Sequence, residues 1–401
     1  MEGAFTIAAL WLALAILSTV IAYHLRISIA LVEICMGIVA AAVADYFFGK
    51  NSLGNHLEWV RFLAAMGAVL LTFLAGAELD LRVIRRKWKE VFIVGVFGFL
   101  APFSGVAVLA RFILHWESQA SWLAGIALST TSMAVVYAVM LETGFNKTEF
   151  GKGILGACFI NDLGTVLALG LLFAPFTYRT ILFVVVTAIV LTIFPILTKR
   201  LTKIYGNKTA AVRAKWVILV LCGLGALALW SGSEAVLPAY IAGMLLANFA
   251  RKEEHWIRRF RTLTVGFLTP FYFLRAGSLV SIPALITAPV IFLVLLAGKV
   301  ASKIFGLYPI MSRFREEYSE RWFYTLMMST GLTFGTISAL YGFSHGIITR
   351  EQYSLLAATV IASAVLPTMI ANMLFLPKHL MPAAVVRKEI GKISEGGIDE
   401  E

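Results

Sequence analysis

Long apolar stretches separated by short polar turns run from one end of the chain to the other. Thirteen of them reach the roughly 17–25 residues that an α-helix needs to cross the hydrocarbon of a bilayer. They lie near 4–23, 27–48, 61–77, 91–114, 119–141, 153–174, 177–198, 216–233, 235–250, 262–281, 284–311, 322–343 and 354–377. The ninth is short and the eleventh long. No soluble domain fits between them, so residues 1–377 are expected to form one transmembrane domain, with 378–401 as a short cytoplasmic tail. The first stretch follows Met1, Glu2 and Gly3 with no basic residue ahead of it, so no cleaved signal peptide is expected.

Composition agrees with this pattern. The 401 residues are 60% hydrophobic and 14% charged, with a mean hydropathy of +0.86, far from a soluble chain. Thirty-two glycines and 12% aromatic residues suit packed membrane helices. The three cysteines, Cys35, Cys158 and Cys222, lie inside apolar runs without paired spacing, which points to neither a disulfide framework nor a zinc site.

A net charge of +11 would suggest a nucleic-acid partner in a soluble protein. Here the distribution of charge explains it. Loops after the odd-numbered stretches, together with the tail, hold 27 Lys and Arg. The other loops hold five: Lys50, Arg61, Arg111, Arg179 and Arg350. That asymmetry predicts an N-terminus outside and a C-terminus in the cytoplasm of a multi-pass inner (plasma) membrane protein. No nucleic-acid partner is expected; the lipid bilayer is.

Arg275 and Lys299 are left inside stretches. Arg275 lies close to one end, where a snorkelling or structural cation is the simpler reading, whereas Lys299 sits about halfway along. Glu33 and Glu78 are membrane-proximal, and Glu78 is expected to hold a helix contact. Of the four aspartates, Asp45, Asp80, Asp162 and Asp399, only Asp162 falls near the middle of a stretch. An ionised acid there costs several kcal/mol, so by default it marks a functional site. Two further stretches carry hydroxyls and glycine at mid-depth: Ser129-Thr130-Thr131-Ser132, and Ser329-Thr330-Gly331-Leu332-Thr333. Such a matched pair suggests interrupted helices from an internal repeat, whose freed backbone groups line an ion site.

With those residues in view, the chain from about 27 to 377 resembles the monovalent cation:proton antiporters. It is similar to the branch holding bacterial Na+/H+ antiporters and the membrane part of Kef-type potassium systems. The similarity is carried by LAAMGAVLLTFLAGAELDL, STTSMAVVYAVMLETG, ILGACFINDLG, AYIAGMLLANF, FLTPFYFLRAGSLV and LAGKVASKIFG, in that order. It implies an all-α, NhaA-like antiporter fold of about thirteen helices in two inverted repeats. Dimerisation and core subdomains would interleave, and discontinuous helices would cross beside the acid. It also implies a homodimer.

The resemblance makes Asp162 the aspartate shared by cation and proton. Asn161 stands where electrogenic members have a second aspartate, Lys299 matches the basic residue that compensates charge, and Thr131 and Ser132 match the broken-helix positions near the ion. Thr330, Arg275 and Glu78 are auxiliary candidates. The chain departs from the family pattern in two places. Asn161 cannot form an ion bridge with Lys299, and Thr330-Gly331-Leu332 replaces an acidic motif.

The expected cargo is a monovalent cation, Na+ or else Li+, bound at Asp162 and exchanged for H+, with no cofactor and no enzymatic activity. A single carboxylate gives one proton per cation, hence electroneutral exchange. K+/H+ exchange of the Kef type and sodium-coupled uptake of an organic solute remain open alternatives. A channel would need a ring of acids from several subunits, and an intramembrane aspartyl protease a second midplane aspartate. A nucleotide-driven pump would need a P-loop, which the sequence lacks.

Overall fold

The computed structural model describes residues 2–25, 28–49, 52–77, 85–173, 178–205, 211–232, 236–252, 254–280 and 288–381. Glu78, Asp80 and the tail from 382 onward lie outside them. Every expected stretch coincides with helix. The first four are α1 (Glu2–Leu25), α2 (Ile29–Phe48), α3 (Glu58–Ala77) and α4 (Trp88–Phe112). The fifth is divided into α5 (Ser118–Ser129) and α6 (Met133–Thr143). Then come α7 (Glu149–Leu172), α8 (Tyr178–Tyr205), α9 (Val212–Ser231) and α10 (Val236–Lys252). The tenth stretch is α11 (Glu254–Leu263) joined through a π-turn, Thr264–Leu268, to α12 (Thr269–Ser278). It therefore begins eight residues before the expected 262, because Trp256, Ile257 and Phe260 give α11 a buried apolar face opposite Arg258 and Arg259. The chain closes with α13 (Pro289–Met311), α14 (Tyr318–Met327), α15 (Thr333–Ser344) and α16 (Arg350–Leu374).

Among the described residues, ten segments are long and apolar enough to cross a membrane, with α5 and α6 counted as one. The other three expected spans fail that measure for local reasons. Helix α10 has only 17 residues, the tenth span contains the π-turn, and the twelfth is broken.

Neither break contains proline. In α5 the Ser129 and Thr130 hydroxyls donate back to Ile126 O and Ala127 O, and Thr130 turns extended (φ −62°, ψ 148°). In α14 the Ser329 and Thr330 hydroxyls donate to Thr325 O and Met327 O. Hydroxyls that compete for the helix carbonyls in this way bend or end a helix. Ser132 restarts the first as an N-cap, accepting from Val135 N–H at 3.4 Å. The two breaks then cross, and Ser132 N–H donates to Thr330 O at 2.9 Å.

The helices sort into two bundles. The first packs α2 and α3 against α10 and α12, with α1, α8 and α9 around them. The second packs α4 against α5, α7 and α13, and closes with α14, α15 and α16. Helix α6 leans on both, touching α3 as well as α7. Each half of the second bundle is a triplet whose middle member is broken: α4, α5/α6, α7 and α13, α14/α15, α16. Within the first bundle, α2 and α12 come close enough that a Cβ at Gly37 or Gly277 would fall 2.1 or 1.9 Å from a facing carbonyl oxygen. Glycine is required there, and the two helices pack backbone against backbone.

One end of the second bundle is tied by a buried ion network. Arg315, between α13 and α14, donates to Glu90 of α4 at 2.6 Å and to Glu320 of α14 at 3.4 Å. His379, just past α16, meets the other Glu320 oxygen at 2.9 Å. The Arg315 and Glu90 side chains are only 11% and 7% exposed, whereas the Arg86–Glu149 pair is 67% and 45% exposed. Removing one partner of a buried pair strands the other charge at about 3–5 kcal/mol; an exposed pair is worth about 0–1 kcal/mol. Arg315→Met is therefore expected to lower the apparent Tm in detergent well below that of Glu149→Gln, and equal shifts would contradict the assignment.

Candidate functional site

Asp162 lies on α7 beside the crossing of the two broken helices. It is 4% exposed, and its Oδ1 has no hydrogen-bond partner among the described residues. A buried acceptor left unpaired carries its full desolvation penalty, larger still for a charged group. That cost makes this oxygen the vacant ligand of the region.

Its neighbour Asn161 is fully buried and committed to structure. The amide oxygen accepts from Thr131 N–H at 3.0 Å, and the amide nitrogen donates to Ser129 O at 3.3 Å. One side chain thus satisfies a free donor and a free acceptor at the α5 break. A carboxylate could accept from Thr131 but could not donate to Ser129 O. The structure therefore supplies a reason for asparagine here.

The hydroxyl candidates are also engaged. Thr131 Oγ1 donates to Met328 O at 2.7 Å, which stitches α6 to the α14 break. Ser132 Oγ serves as the α6 cap, and the Thr330 carbonyl takes the Ser132 N–H. Thr131, Ser132 and Thr330 are 1%, 1% and 0% exposed, so all three belong to the crossing itself.

Lys299 is also fully buried. Its Nζ lies 3.4 Å from Thr130 O, at the carbonyl end of α5, where a positive charge offsets the helix dipole. It fills the space above Gly331: a Cβ there would stand 2.1 Å from Nζ. A side chain at 331 would have to displace that lysine head.

The sequence reading missed Lys303, which it counted among the loop cations. Helix α13 continues to Met311, and Lys303 is fully buried within it, one turn beyond Lys299 on the same face. Its Nζ donates to Thr131 Oγ1 at 3.0 Å, and it is the charged group that acts electrostatically on Asp162. No ion pair closer than 4.0 Å joins Lys303 or Lys299 to Asp162. The spacing GKVASK, two lysines four apart in an apolar run, was the available signal.

Arg275 does not join this group. It lies near the end of α12, where its Nε donates to Asn55 O at 3.1 Å, a tie to the loop before α3. Glu78 lies outside the described residues.

A profile of the family described as "Sodium/hydrogen exchanger, transmembrane" matches residues 11–376. Relatives include the probable Na+/H+ antiporter 3 of Methanocaldococcus jannaschii, 24% identical over 345 residues, covering 82% of this chain and 87% of that protein. The Na+/H+ antiporter of Enterococcus hirae is 26% identical over 357 residues, covering 83% and 90%. The chloroplastic K+ efflux antiporter 1 of Arabidopsis thaliana is 26% identical over 367 residues, which is 84% of this chain but 30% of that protein. Among solved structures, the sodium proton antiporter MjNhaP1 of Methanocaldococcus jannaschii, determined at pH 8, shares the fold. Its TM-score is 0.67 over 94% of this chain and 98% of that one, at 16% identity. With its paired broken helices, its buried midplane carboxylate and a family match along nearly its whole length, this chain belongs to the transmembrane sodium/hydrogen exchanger family.

Proposed function

We propose that the protein exchanges Na+ for H+ across the cell's plasma membrane by alternating access, with Asp162 as the site both ions share. The observation that carries this reading is the partnerless Asp162 oxygen beside a helix crossing where Asn161 and the Thr131 hydroxyl are already bonded elsewhere. A carboxylate oxygen suits a hard monovalent cation or a proton, and only one of them at a time. The hydroxyl oxygens of Thr131 and Ser132 at the crossing are candidates to complete the shell. Movement of one bundle against the other would expose the loaded site to each side in turn. A bare carboxylate crossing in low dielectric is costly, which couples the two fluxes.

Lys303 sets the electrostatics of that exchange. Its ammonium, held on Thr131 Oγ1, puts a positive charge near Asp162 that disfavours an entering cation, so the carboxylate must outweigh that repulsion. Lys299 holds the α5 end in place. The basic loops support a cytoplasmic C-terminus even with Lys303 moved inside, since 26 cations then face five. Family membership supports a homodimer.

The direct test is proton flux in proteoliposomes on addition of Na+, Li+ or K+. Wild type should alkalinise the lumen with Na+, and Asp162→Asn should fall to the rate of protein-free liposomes. Na+-driven flux that survives in Asp162→Asn would remove the carboxylate from the mechanism.

Charge counting gives a second expectation. With Asn161 neutral and both lysines staying charged, one proton exchanges for one cation, and the wild-type rate should not change when valinomycin and K+ clamp the voltage. A voltage-dependent wild-type rate contradicts this. Asn161→Asp should lower the apparent Tm, because Ser129 O loses its donor at about 1–3 kcal/mol. It should also add voltage dependence through a second titrating carboxylate. Unchanged stability would show that the amide bond to Ser129 O contributes nothing.

A further inference from the structure

The two bundles meet at a small apolar cluster that stands apart from the main core. Ala68 of α3, Val236 of α10 and Tyr272 of α12 belong to the first bundle, and Val166 of α7 and Phe334 of α15 to the second. Val166 is four residues beyond Asp162, on the same face of α7. The cluster therefore lies beside the carboxylate, on the side toward the α7 C-terminus. Beside it, the Tyr272 hydroxyl and Thr333 Oγ1 are 2.5 Å apart, a hydrogen bond between side chains of opposite bundles. Thr333 is the first residue of α15 after the break. Phenylalanine at 272 would fill the same apolar space, so the hydroxyl is what distinguishes this residue.

We propose that Tyr272 is a positioning residue of the exchange cycle: its bond to Thr333 latches α12 to α15 and keeps the Val166–Val236–Phe334 cluster closed over one side of Asp162. This rests on the exchange reading of the site. Exchange requires that Asp162 meet water on one side at a time, and an apolar cluster excludes water. Because its members come from both bundles, the cluster must part when the bundles move. Contacts inside one bundle, such as Gly37 against the Leu274 carbonyl, need not part in such a movement. A bond between two hydroxyls suits a reversible closure, since each hydroxyl can rebond to water once the bundles separate and the net difference is small. Two further ties cross the same divide: Tyr240 Oη to Leu155 O at 3.3 Å and Ile29 N–H to Glu142 Oε1 at 3.0 Å. Each has a backbone partner, whereas Tyr272–Thr333 joins two side chains and can be dissected by paired substitutions.

The test uses the full chain carrying Val166→Cys in sealed vesicles of known orientation. A membrane-impermeant methanethiosulfonate is applied from one side or the other, and modification is read by fragment-resolved tandem mass spectrometry at residue 166, which separates it from native Cys158 eight residues earlier. In this background the side facing the α7 C-terminus should label slowly. Adding Tyr272→Phe or Thr333→Val should raise that rate about three- to tenfold, the value of one net hydrogen bond, and leave the other side unchanged. The two substitutions together should do no more than one alone, because they remove the same bond. Rates unchanged in both variants, equal rises on both sides, or additive effects would overturn the latch. The readout needs no transported ion, so absent Na+-driven flux counts against the exchange reading, while labelling alone judges the latch.

Discussion

The structure is organised by the need to hold one carboxylate oxygen without a partner in the interior of a membrane protein. Asp162 could be silenced by a single added donor, and the surrounding chain withholds it. Asn161, its immediate neighbour, spends its amide on the α5 break; Thr131 spends its hydroxyl on Met328 O; Ser132 caps α6. Leaving the acid unpaired is costly, and in the proposed exchange a bound proton or cation is what relieves that cost.

Breaking two helices at the same depth creates a second problem, because each break frees carbonyl and amide groups in a low-dielectric region. The crossing solves much of it internally through Ser132 N–H to Thr330 O, Thr131 N–H to Asn161 and Lys299 to Thr130 O. The lysine head occupies the volume that a side chain at Gly331 would take. The two lysines therefore divide their work: Lys299 closes the helix end, and Lys303 places a positive charge near Asp162.

Much of this was legible in the sequence because hydrocarbon is a demanding solvent. Span positions followed from apolar length alone, Asp162 from the penalty on a midplane acid, and both breaks from clustered hydroxyls without proline. What was not legible depended on three-dimensional partners. Lys303 lies inside the expected 284–311 stretch, yet it was counted with the loop cations because it is only eight residues from that end; its burial and its bond to Thr131 Oγ1 show otherwise. Arg275 looked like a site candidate until its bond to Asn55 O placed it at the helix end. The commitments of Asn161 and Thr131 could not be read either, since each involves a residue at least 30 positions away.

The most direct measurement of the central claim is the number of protons released when Na+ binds to the purified protein. Titration calorimetry in buffers of different ionisation enthalpy gives that number from the buffer dependence of the heat. Competition at one carboxylate predicts release approaching about one proton per ion at pH values where Asp162 is protonated, and no Na+ binding to Asp162→Asn. Na+ binding with a buffer-independent heat throughout, or binding retained by Asp162→Asn, would contradict a shared site.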